Sequence, residues 1–227
     1  MSLERQAPLF NAEVMSDILV INPNSSHACT AGIEAAIAPL HIPGVRVVSL
    51  PGGPPAILTW RDWFSVAEPL CRLVEATPAG AYVIACASDP GVAAIRTATT
   101  RPVLGIFACA IAAAITRAER FGVVAIVDAS KPRHMQVLRA MGLEARLAAE
   151  VAMNVSMDTL LDPAAARAGL VRAARDCVAA GAGAVILGCT GMAAHQAAME
   201  QAAGVPVIEP AQAGVAAALL ALAGVSR

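Results

Sequence analysis

"GAYVIACASDPGVAAIRTATTRPVLGI", residues 80–106, runs from a Gly-Ala pair through an apolar strand to a cysteine. Small polar residues, a helical stretch, Pro-Val and a second strand follow. "GAGAVILGCTGMAAHQAAMEQAAGVPVIEP", residues 181–210, repeats that order. Strand, helix, strand at this spacing is the unit of a parallel α/β protein. The repeat predicts two pseudosymmetric Rossmann-like lobes, each a parallel sheet flanked by helices, with one cysteine after the third strand of each. Ligands of α/β proteins bind beyond the carboxyl ends of the strands. Cys86 and Cys189 are therefore expected in a single cleft between the lobes.

The rest of the chain alternates in the same way. Expected strands are 17–21, 45–50, 81–85, 102–106, 122–127, 144–147, 184–188 and 206–210. Their nearly continuous apolar runs suit sheets covered on both faces. Expected helices include 62–76, 163–180 and a last one at 211–223 that returns to the first half. The expected division is an N-terminal extension (1–16), lobe 1 (17–116 with 208–227) and lobe 2 (117–207).

Composition excludes several classes. The chain is 57% hydrophobic and 15% charged, with a net charge of −1. It has no run of Lys/Arg to bind nucleic acid. No apolar stretch reaches the ~18–20 residues of a membrane span. The first residues lack the pattern of a secretory leader. Six cysteines (Cys29, Cys71, Cys86, Cys109, Cys177, Cys189) contain no CxxC pair. Reduced thiols in a cytoplasm are expected, without zinc or any other cofactor. The expected partner is a small-molecule substrate, and association into a homo-oligomer is compatible with the sequence.

A thiol at the amino end of a helix is expected to have its pKa lowered from about 8.5 by peptide dipoles and free N–H groups. Backbone N–H groups of Ala87, Ser88, Thr190 and Gly191 are placed to hold a substrate oxygen as it gains charge. Two thiols on opposite sides of a carbon acid can act as base and acid, which is racemisation without a cofactor. Asn22 ends the first strand and is a candidate substrate contact, as is the Thr190 hydroxyl. Ser25 or Ser26 is expected to cap a helix, and so is Asp89. "GGPP" (52–55) is expected to edge the cleft. His27 and His134 are candidates for its mouth, and Cys109 sits at a strand–helix junction that could line it. Cys29, Cys71 and Cys177 fit the core, where free cysteine behaves as a small hydrophobe.

"INPNSS" (21–26), "GGPPAI" (52–57), "ACASDPGVAAIR" (85–96), "RPVLGI" (101–106), "PRHMQVLRAMGL" (132–143) and "ILGCTGM" (186–192) together resemble the aspartate/glutamate/hydantoin racemase superfamily. The resemblance is nearest to its hydantoin (allantoin) racemase branch and runs from about residue 17 over most of the chain. It implies two lobes, no cofactor and a catalytic pair at Cys86 and Cys189. The chain departs from that branch at Ala87, where an aromatic is usual, at 107–109 ("FAC") and at Ala56-Ile57-Leu58. The expected activity is racemisation of a 5-substituted hydantoin or allantoin. An amino-acid racemase or maleate-type cis-trans isomerase is the alternative of the same kind. A non-catalytic small-molecule binding protein is the alternative of another class.

Overall fold

A computed structural model describes residues 17–156, 159–160 and 162–224. The expected extension at 1–16 lies outside the described residues.

Two four-stranded sheets form, both entirely parallel. The first contains β1 (Ile18–Asn22), β2 (Val45–Ser49), β3 (Ala81–Ile84) and β4 (Val103–Gly105), in the order β2-β1-β3-β4. The second contains β5 (Phe121–Ala125), β6 (Leu147–Ala152), β7 (Ala184–Leu187) and β8 (Val207–Ile208), in the matching order β6-β5-β7-β8. The two expected halves are thus the same unit twice. In each, the chain reverses its direction of winding beside the first strand. That switch point is where an open parallel sheet leaves a crevice.

Helices cover both faces of each sheet. They are α1 (His27–Ile37), α2 (Trp60–Ser65), α3 (Ala67–Ala76), α4 (Val92–Ala98), α5 (Ile106–Ile115), α6 (Lys131–Met141), α7 (Pro163–Ala179), α8 (Gln196–Ala203) and α9 (Pro210–Ala223). Strand residues alternate between faces. Leu19, Ile21 and Ile84 pack with Leu70, Val74 and Ile95 from α3 and α4. Ile18, Val20 and Val83 pack with Ile33 of α1 and with Ala211, Val215 and Ala218 of α9. The last helix therefore does return to the first sheet. Helix α5 joins the halves: Ile106 belongs to the core of the first sheet, and Phe107, Ala110 and Ile111 to that of the second.

Three expected elements differ. The helix over 62–76 is two helices that meet at Val66. Proline clashes with the carbonyl four residues back when inside a helix, but fits its first turn. The break leaves Pro69 in the first turn of α3, while a Thr59–Asp62 capping box starts α2 early. The strand expected at 144–147 is a 3-10 turn at Glu144–Arg146, and β6 begins at Leu147. Its Ala-rich sequence carries little strand preference; pairing with β5 makes it a strand. The strand expected at 102–106 stops at Gly105, because Asp89 caps α5 there.

Candidate active site

The carboxyl ends of β1, β3, β5 and β7 converge on one cavity of about 320 Å³. Cys86 follows β3, Cys189 follows β7, and both line it. The matched positions expected from the repeat are together in space.

Around Cys86 the chain turns sharply. Asp89 N–H bonds back to the Cys86 carbonyl at 3.0 Å, and Asp89 has φ of 51°. The Ser88 hydroxyl lies 3.5 Å from Cys86 Sγ, and Trp63 Nε1 donates to the Ser88 carbonyl at 2.9 Å. Helix α4 begins only at Val92, so the expected helix amino terminus at Cys86 is replaced by this turn. Asp89 caps α5 instead, accepting from Phe107 N at 2.9 Å and Ala108 N at 2.8 Å.

Cys189 does stand at the amino end of a helix, the 3-10 segment Thr190–His195. Gly188 precedes it for a steric reason. A Cβ at that position would lie 2.5 Å from the Val124 carbonyl oxygen, so a larger residue would push β7 off β5 at the site.

Both thiols have raised pKa values, contrary to the lowering expected from the sequence. Burial is the main cause for Cys86, opposed by the Ser88 hydroxyl, the Ser88 N–H and the positive charge of Arg133. Burial pushes Cys189 up to about 12, opposed by the Gly191 N–H and reinforced by Cys29, Cys86 and Glu209. Of the expected donors, the Ser88 and Gly191 N–H groups act on the thiols, but removal from water outweighs them. Carboxyls disfavour both thiolates, Asp89 that of Cys86 and Glu209 that of Cys189, and Arg133 opposes this at Cys86.

Asn22, Ala87, Ser88 and Thr190 all line the cavity; Gly191 is not among the lining residues, and its N–H acts on the Cys189 thiol. The Asn22 carboxamide is engaged locally. Its Nδ2 donates to Asn24 Oδ1 (2.9 Å), Thr30 Oγ1 (3.0 Å) and the Ser26 carbonyl (3.3 Å), and its Oδ1 accepts from Asn24 N. Asn22 thus shapes the turn, while Ser26 caps α1 by accepting from Cys29 N. Pro55, the last residue of the "GGPP" loop, edges the cavity with Ala56, Ile57 and Leu58 after it.

The remaining cysteines divide. Cys177 is buried in the core beneath α7, and Cys71 packs against the α3 side of the first sheet. Cys29 is not core: it lies on the cavity wall. Cys109 is outside the lining, on α5, and burial raises its thiol to about 12. His134 lines the cavity and His27 does not. His134 Nδ1 pairs with Glu150 Oε1 at 2.5 Å, and its ring packs 4.6 Å from that of Phe107.

Ile126, Ser130 and Arg133 also line the cavity and were missed. The repeat held the signal. β5 is the second half's counterpart of β1, so the segment after it should face the cleft as residues 22–29 do. Among the described residues no group of three or more His, Cys, Asp or Glu is arranged to hold a metal ion.

The profile of the Asp/Glu/Hydantoin racemase family matches residues 18–218. The chain belongs to this family. It is 34% identical to the hydantoin racemase of Paenarthrobacter aurescens over 215 residues, covering 90% of this chain and 91% of that one. The solved allantoin racemase of Klebsiella pneumoniae superposes with a TM-score of 0.82 at 30% identity, over 89% of this chain and 86% of its own. That of Pseudomonas fluorescens does so with a TM-score of 0.82 at 28% identity, over 88% of each.

Proposed function

We propose that this protein is a cofactor-independent racemase of a 5-substituted hydantoin or allantoin, with Cys86 and Cys189 as its two acid–base residues. The observation that carries the reading is the meeting of these thiols, one from each repeated half, on one cavity. The hydantoin and allantoin racemases to which the chain is similar supply the substrate class.

The chemistry suits the site. The C5–H of a hydantoin lies beside a carbonyl and a nitrogen, so its conjugate base is an enolate. A thiolate on one face takes the proton, and a thiol on the other returns one. The Ser88 and Gly191 N–H groups tune the two sulfurs. The apolar wall of Ala56, Ile57 and Leu58 would face the C5 substituent. The same reading includes a reducing compartment such as the cytoplasm, because all six cysteines are free and two must remain so.

The test is polarimetry with enantiopure 5-substituted hydantoins and allantoin, beside amino acids and maleate. Loss of rotation with a hydantoin or allantoin is expected. Conversion of maleate to fumarate with no such loss would replace this reading by an isomerase.

A further inference from the structure

Arg133 is the third residue of α6, and only 3% of its surface is exposed. It lines the cavity. Its Nε is sealed from solvent and has no hydrogen-bond partner among the described residues. None of their carboxylates lies within ion-pair distance of it, and Asp62 acts on it only from farther off. Buried donors are nearly always matched, and a buried charge without a counter-charge is costly. An acceptor that the described residues do not supply is therefore wanted at this point of the wall.

The neighbours narrow that acceptor. Arg133 and Cys86 feel each other's charge, yet no hydrogen bond joins them among the described residues. A group that meets the guanidinium in the cavity thus sits on the Cys86 side. The Ala85, Ala87 and Ile126 walls offer it no rival cation. The adjacent His134 is fixed by Glu150 and by the Phe107 ring.

We propose that Arg133 is a catalytic residue, whose guanidinium holds the carbonyl oxygen beside the reacting carbon and stabilises it as the enolate forms. This rests on the racemase reading above. The electron count is simple. The Cys86 thiolate forms an S–H bond with the substrate proton. The C–H pair becomes a C=C bond, and the carbonyl π pair moves to oxygen. Cys189 then gives its proton to the opposite face and is left as thiolate, while the carbonyl re-forms. One negative charge passes from sulfur to oxygen and on to the other sulfur, with Arg133 beside its middle station. In the reverse direction the two thiols exchange roles and Arg133 keeps its own.

The test compares wild type, Arg133→Gln and Arg133→Lys on two hydantoins, one with an isopropyl group at C5 and one with a carboxymethyl group. Loss of an oxyanion donor costs about 10²–10³ in rate. Arg133→Gln should lower kcat by about that factor on both substrates and slow C5 exchange in D₂O equally. A rise in KM for the carboxymethyl substrate alone, with kcat for the isopropyl one retained, would overturn the proposal in favour of substituent recognition. Unchanged kinetics would overturn it too. If Arg133→Gln does not fold, Arg133→Lys decides, because an ammonium does not reproduce the guanidinium fork. A lowered kcat supports the role, and an unchanged one overturns it. Failure of the wild type to racemise any carbon acid would instead defeat the racemase reading itself.

Discussion

The Asp89 carboxyl fills the space that a side chain on Gly105 would need: a Cβ there would lie 2.2 Å from Asp89 Cγ and 2.4 Å from Oδ2. Through this contact the loop that carries Cys86 is locked to the first turn of α5. Gly105→Ala must displace the carboxyl, break the cap, or both. A loss of about 1–3 kcal/mol is expected, the usual cost of overpacking. Urea unfolding measures it. The Cys86 loop should shift as well, so kcat should fall; full stability and full activity together would show that the lock is not needed.

The two cysteines should be separable by isotope exchange. Cys86→Ser and Cys189→Ser should each lower racemisation by about 10²–10⁴-fold, the worth of a positioned acid or base. In D₂O each variant should still exchange the C5 proton of one enantiomer with retention, and the two variants should prefer opposite enantiomers. Proton NMR on enantiopure substrates distinguishes them. Equal exchange of both enantiomers by both variants, or equal damage from Cys177→Ser in the core, would refute the pairing.

Rate against pH follows from the raised thiols. The active form holds one thiolate and one thiol, so the apparent pKa values belong to the pair. With Cys86 raised by burial, kcat/KM should climb as pH rises above neutrality. The descending limb belongs to loss of the proton the pair retains, and the raised Cys189 thiol moves it to strongly alkaline pH. The accessible profile is therefore a rising limb and a plateau. A profile flat from pH 6 to 10 in steady-state assays would exclude thiol chemistry (the range spans about two units either side of an ordinary thiol).

Stability should run the other way with pH. Burial raises Asp89 from 3.8 to about 7 and Glu209 from 4.5 to about 7. Between those values the unfolded chain has released protons that the folded one keeps. Their contribution is full below pH 3.8 and is lost as pH rises through about 7. The urea midpoint should fall over that window. Asp89→Asn and Glu209→Gln should each flatten the slope, and a slope unchanged in both would show that neither carboxyl holds its proton on folding.

Much of the site was legible in the chain because it is written twice. Cys86 and Cys189 stand at the same place in matching segments, and a parallel sheet sends both to its carboxyl edge. The strand cores and the return of α9 were legible for a similar reason, since continuous apolar runs bounded by glycine and proline have few other ways to be buried. The start of β6 was not, because residues 147–152 become a strand through pairing with β5 rather than through their own preference.

What the sequence determined by itself is local and periodic: the α/β repeat, the family motifs and the two thiols with their neighbouring N–H groups. What only tertiary structure decided is everything set by burial and by contact across the halves. The thiols are raised rather than lowered, because desolvation depends on what surrounds a group and not on its flanking residues. Asp89 caps α5 and not the helix that follows it in the chain. Cys29 belongs to the cavity wall, and Arg133 arrives from the opposite lobe. Its charge gains meaning only there, because a guanidinium in a sequence is a surface residue until the fold removes its water and leaves its Nε without a partner among the described residues.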